Sequence, residues 1–137
     1  MKQTIGLTAL VVRDYDEALK FYVGLLGFTL IEDTYIAGRD KRWVVVAPSI
    51  CAGAALVLAV PSDERQRSRV GDQTGGRVGL FLHSDDFWRD YENLHRRGVT
   101  FLEKPRHEPY GVVAVFVDPW GGKWDLLQPA SGALETP

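Results

Sequence analysis

The feature that most constrains the fold is an internal repeat: one order of strand and helix signals occurs twice within 137 residues. In the first half an apolar run from Ile5 to Val12 ends at Arg13-Asp14, and Asp14 with Glu17 three residues on predicts a capped helix start. Tyr15, Leu19, Tyr22 and Leu26 follow at helical spacing, and Gly27 supplies the stop. Strands are then expected from Phe28-Thr29-Leu30-Ile31, from Trp43 to Ala47 and from Ala55 to Val60, with Gly, Asp and Pro between them. In the second half Val78 to His83 reads as a strand and Asp86 caps a helix carrying Phe87, Tyr91 and Leu94. Gly98-Val99-Thr100-Phe101 then precedes two further strands. Asp86 lies over Asp14, Phe87 over Tyr15, Tyr91 over Leu19 and Leu94 over Tyr22, while Gly98 comes one residue early. Trp124 to Pro129 lies over Leu56 to Pro61. Each half is thus β-α-β-β-β, module one at about 4–61 and module two at about 77–129, with a C-terminal tail at 130–137. The polar, Gly-rich stretch between them, about 62–76, has no periodicity and is expected to be a linker or long loop.

The last two strands form a hairpin. Val112 to Val117 is a buried apolar run, Asp118-Pro119 and Gly121-Gly122 supply turn chemistry, and Trp124 to Leu127 returns. Alternation puts Lys123, Asp125 and Leu127 on one face and Trp124 and Leu126 on the other, so a carboxylate stands among apolar neighbours. A buried carboxylate without a partner costs several kcal/mol or stays protonated. Asp125 is therefore expected to find a donor in Lys123, in His83 or in an ordered water.

A composition of 45% hydrophobic and 25% charged residues is that of a globular chain able to bury a core. A formal net charge of -2 gives no general attraction to nucleic acid or anionic membrane. Arg65, Arg67 and Arg69 alternate with polar residues and lack interleaved aromatics, which also argues against nucleic-acid recognition. Cys51 stands alone, so no internal disulfide framework exists and a small buried thiol is expected. No apolar run approaches the roughly 20 residues of a membrane span, and the start, Met-Lys-Gln-Thr-Ile-Gly, has no apolar signal core. These features fit a cytoplasmic protein whose partner is a small molecule or another protein. No Ser/His/Asp or Cys/His pairing has supporting spacing, and no glycine loop precedes a helix to cradle phosphate.

Arg13-Asp14, Phe21-Tyr22 and Leu26-Gly27-Phe28 within two β-α-β-β-β units, with Asp118-Pro119-x-Gly121 before Trp124-Asp125, resemble the vicinal oxygen chelate superfamily. That group includes glyoxalase I, extradiol dioxygenases, fosfomycin-resistance enzymes and bleomycin-binding proteins, and the resemblance spans residues 5 to 129. It implies an α+β fold in which the tandem modules form a curved, half-barrel mixed sheet of eight strands, with helices on the convex side and a pocket on the concave side. It also implies a homodimer. Metal-using members place a His on the first strand of each module and an acid on the last strand of one or both. Carried onto this chain, those positions hold Leu7, Gly79 (or Val78 one register earlier), Val57 and Asp125, and three of the four lack a donor. A divalent site generally needs at least three protein ligands, so no metal and no other cofactor is expected.

If Gly79 lies over Leu7, then Gly79, Phe81 and His83 share the concave face and His83 lines the pocket. A bulge before Asp85-Asp86 would instead leave it at a solvated strand end. Trp43, Phe81 and Tyr110 are candidate aromatic walls, with core packing the competing account for each. Trp88 and Trp120 read as packing or dimer surface, and His95 as a cation complementing a helix end. Lys104, Arg106 and His107 read as a solvated charged loop or, alternatively, a clamp for an anion. Two functions of different class fit. One is a metal-free, small-molecule-sequestering homodimer with Trp43, Phe81, His83, Tyr110 and Asp125 in its pocket. The other is a lyase or dioxygenase-type enzyme of the same superfamily using His83 and Asp125, with or without a divalent metal.

Overall fold

A computed structural model describes residues 1–38, 40–49 and 53–131. Cys51 and the end of the expected tail, 132–137, lie outside the described residues. The chain divides into two compact units, Met1–Gln73 and Thr74–Pro137, with the boundary inside the expected linker.

In the first unit β1 (Leu7–Val11) leads to helix α1 (Tyr15–Leu19), which continues as a π-helical segment, Lys20–Leu25. Asp14 caps it by accepting the Glu17 amide at 2.8 Å, while the Glu17 carboxylate accepts from Arg13 instead of completing a capping box. The wide turn, closed by Leu26 N–H to the Phe21 carbonyl at 2.9 Å, changes the expected stripe. It adds a residue to one turn, so Phe21 and Tyr22 are both buried and meet edge-to-face at 4.9 Å, whereas Tyr15 and Leu19 are only half-buried. Gly27, at φ 80°, then turns the chain. Strands β2 (Thr29–Ile36), β3 (Lys41–Ala47) and β4 (Ala55–Ala59) complete a mixed sheet in the order β1-β4-β3-β2, with a bulge at Ile31. Its buried face carries Leu10, Val44, Val46, Leu56 and Leu58, each of which contributes about 1.5 to 3 kcal/mol on full burial.

The expected linker is not structureless. Asp63 accepts the Gln66 amide and caps a short helix α2 (Glu64–Arg67), because an acidic N-cap and a Glu in the first turn complement the N-terminal dipole. Farther on, the Gln73 carboxamide accepts from Val11 N–H and donates to the Ala9 carbonyl, both at 2.8 Å, pairing with the edge of β1 as a strand would.

The second unit holds β5 (Leu80–His83), α3 (Phe87–Arg96), β6 (Thr100–Phe101), β7 (Arg106–Glu108), β8 (Gly111–Val117) and β9 (Lys123–Pro129). The sheet order is β5-β9-β8-β6, with β7 also on β8. The repeat is thus borne out as two mixed sheets of four and five strands, rather than one of eight. The added strand falls where a charged loop was expected: Arg106, His107 and Glu108 pair with Val113, Val112 and Gly111. Alternation here follows the sequence. Phe116 and Trp124 stack at 5.7 Å on the face that meets Phe101, Tyr91 and Phe87 in a continuous aromatic chain beneath α3. The hairpin turn is organised by buried Asp118, whose Oδ1 accepts from the amides of Trp120 (3.0 Å) and Gly122 (2.8 Å). No helix among the described residues is long and apolar enough to cross a membrane.

Candidate functional site

Each sheet leaves one face away from its helices, and the ladders fix which side chains stand there. In the first unit Leu7 pairs with Ala55 and Ala9 with Val57. Val57 in turn pairs with Val45, and Thr34 with Trp43. Alternation therefore gathers Leu7, Ala9, Trp43, Val45 and Val57 on the face opposite the buried one. Trp43 and Leu7 are 39% and 43% exposed there, so the indole is surface and not core.

In the second unit β5 runs parallel to β9 without interruption, with Phe81 opposite Asp125 and His83 opposite Leu127. Ser84 N–H then bonds the Leu127 carbonyl at 2.9 Å, so no bulge intervenes and His83 keeps the face of Phe81. Antiparallel pairing adds Val113 opposite Leu127 and Val115 opposite Asp125. Phe81, His83 and Asp125 thus come together on one face of one sheet. Phe81 is 57% exposed and His83 is exposed, while Asp125 is 94% buried. Tyr110, at the β7–β8 turn, joins this face through Arg106, which donates to its hydroxyl at 3.3 Å. Trp43 belongs to the other unit.

The same ladders settle the metal positions. Ala9 stands beside Val57 as Phe81 stands beside Asp125, so overlaying the last strands carries Gly79 onto Leu7 and decides the register left open between Gly79 and Val78. Leucine, valine and glycine side chains offer no donor at three of the four positions. No group of three His, Cys, Asp or Glu able to hold a metal ion occurs among the described residues. The residues present do not fit the family's divalent site.

Asp125 differs from the other buried polar side chains. Asp118 accepts two amides, and Ser84 donates to Asp90 at 2.6 Å and accepts from Asp86 N–H at 3.0 Å. Asp125 Oδ1 is buried with no hydrogen-bond partner. The expectation of a protein donor thus fails at this atom, for neither Lys123 nor His83 bonds it. Burial raises the carboxyl pKa above its ordinary value; the Arg106 charge lowers it and the Glu103 charge raises it. Among the described residues the other buried side-chain atom without a partner is Trp120 Nε1, in the hairpin turn.

Arg106 is neither a loop residue nor an open anion clamp. Its Nε donates to both Glu103 oxygens at 3.1 and 3.2 Å, and its Nη1 lies 3.3 Å from Glu108 Oε2. Glu103 in turn accepts the Val115 amide at 3.2 Å, fixing this charged cluster to β8. Sequence reasoning missed Glu103. Its signal was the three-residue spacing to Arg106, followed by alternation through Glu108.

The sequence matches the Glyoxalase/Bleomycin resistance protein/Dioxygenase superfamily over residues 4–126. An uncharacterized protein of Shewanella frigidimarina (strain NCIMB 400) is 56% identical over 128 residues, covering 93% of this chain and 95% of the relative. Among solved structures, UcmS2 is similar with a TM-score of 0.79 and 32% identity, over 93% of this chain and 98% of that one. TnmS3, an antibiotic binding protein from Streptomyces sp. CB03234, has a TM-score of 0.76 and 33% identity, over 94% and 98%. The repeat, the two ladders and these likenesses agree: the chain belongs to the Glyoxalase/Bleomycin resistance protein/Dioxygenase superfamily.

Proposed function

We propose that the protein is a metal-free, small-molecule-binding homodimer that sequesters an aromatic or amphipathic compound on the helix-free faces of its sheets. The observation that carries this is the second unit's face, where an exposed Phe81 and a buried, unpartnered Asp125 oxygen stand side by side on paired strands. Apolar and aromatic side chains with a few fixed polar groups are the lining of an organic-ligand site. His83 and Tyr110 complete the contact set on this face, and Trp43 offers an aromatic contact on the helix-free face of the first unit. The likeness to an antibiotic binding protein supports binding of a small organic molecule. Exposed Leu30, Ile31 and Tyr35 on β2 suit a subunit interface.

The test is a thermal-shift screen of planar aromatic compounds on protein purified without chelator, with elemental analysis, light scattering and recovery of the ligand. The expected result is a dimer without stoichiometric metal. A ligand at 100 times its dissociation constant should stabilise it by about 2.7 kcal/mol, unaffected by EDTA, and be recovered unchanged. Phe81→Ala should weaken binding. Turnover of a ligand with added nickel, zinc, iron or manganese, lost in His83→Ala, would replace this function with the enzymatic one.

A further inference from the structure

Resting on the small-molecule function proposed above, we infer that the ligand is an aromatic without negative charge that carries a hydroxyl donor, and that the Asp125 carboxyl turns to accept its hydrogen bond. Three observations lead there. First, Oδ1 is a strong acceptor, buried and without a protein partner, whereas Asp118, the other buried carboxylate among the described residues, is bonded at two amides. A buried acceptor left open costs stability, and a ligand donor would remove that cost. Second, apolar side chains border Asp125 on three sides: Phe81 and Val115 are its partners on the two neighbouring strands, and Leu127 follows on its own strand and face, with Lys123 preceding it. A flat hydrocarbon ring matches those neighbours, with one polar atom over the carboxyl.

Third, the carboxylates nearby select against an anionic ligand. Arg106 and Glu103 both act on the Asp125 charge, in opposite directions. An anionic ligand would meet Asp125 and Glu103, while the Arg106 guanidinium is already engaged by Glu103 and Glu108. A neutral O–H escapes that repulsion and still donates to the carboxyl.

The experiment compares 2-naphthol with 2-methoxynaphthalene, which keeps the ring but has no donor, by fluorescence titration against wild type, Asp125→Asn and Asp125→Leu. Ring burial alone favours the ether, the more apolar probe. A hydrogen bond to Asp125 reverses that order: wild type should bind the naphthol about tenfold or more tighter. The preference should survive in Asp125→Asn, whose amide oxygen still accepts, and vanish in Asp125→Leu. Equal affinities in wild type, or a preference unchanged in Asp125→Leu, would overturn the inference and leave aromatic binding intact. Saturable binding of neither probe would overturn both.

Discussion

Replacing Asp125 with leucine should stabilise the protein, although the residue lies in the middle of a strand and is 94% buried. Had Oδ1 accepted a protein hydrogen bond, the leucine would strand its donor and cost about 1 to 3 kcal/mol. With no partner on Oδ1, the sign inverts. The wild-type fold carries the desolvation of an unmet acceptor, about 1 to 3 kcal/mol by mutational measure, and a leucine of similar size adds apolar contact with Phe81, Val115 and Leu127. Asp125→Leu should thus gain about 2 kcal/mol at neutral pH, about 8 °C in Tm for a domain of this size. The pH dependence follows from the raised folded-state pKa. Between the unfolded value near 3.9 and the higher folded value the native state holds more protons, so wild-type stability falls as pH rises through that window. The advantage of the leucine variant should therefore be largest above the folded pKa and smallest in acid. Urea unfolding of both proteins across pH 3.5 to 8 measures it. A leucine variant less stable than wild type at pH 7.5, or a gap that widens in acid, would refute the assignment of an unpaired, desolvated carboxyl.

Gly111 sits at φ 146°, and an added Cβ would lie 2.1 Å from the Gln128 carbonyl oxygen, so Gly111→Ala should lose about 3 kcal/mol in urea unfolding. Asp118→Ala should cost about 1 to 3 kcal/mol by freeing the Trp120 and Gly122 amides, with faster hydrogen exchange confined to the β8–β9 turn. Arg42→Met should cost about 1 kcal/mol or less at pH 7, since its pairs with Asp33 and Asp16 are partly exposed. Hydrogen bonding to Arg42 holds the Asp33 pKa below its usual value, so that stabilisation is present above the unfolded pKa near 3.9. It should disappear as acid titration passes through the lower folded pKa. Gln73→Ala should leave Val11 N–H and the Ala9 carbonyl open and speed exchange at Val11, read by amide NMR.

The fold was legible because its signals are local and doubled. Asp14 and Asp86 each cap a helix through the amide three residues on, and the alternation around Trp124-Asp125-Leu126 predicts the faces that the ladders fix. What escaped was a local change of helical winding and pairing with distant strands. The π-helical segment from Lys20 to Leu25 leaves no mark in a hydrophobic stripe, because Phe21 and Tyr22 become jointly buried only when the turn widens. Strand β7 was hidden since Arg106, His107 and Glu108 have no apolar member; β8 provides the pairing that makes them a strand. Gln73 gave no sequence sign of its role, as its partner strand lies more than sixty residues earlier.

The site was half legible for a physical reason. Period-two alternation identifies a face, and so placed Phe81, His83 and Asp125 together. It carries no information on whether a buried oxygen is bonded. The expected donor for Asp125 came from a rule that holds for Asp118 and Ser84, and its failure among the described buried carboxyls falls beside an exposed phenylalanine. A structural carboxyl in that position would gain by acquiring a donor or by being an apolar residue. Keeping it open costs folding energy, which a ligand that supplies the hydrogen bond would recover. An Asp125→Leu protein that is both more stable and blind to the ligand hydroxyl would show the two effects to have one origin.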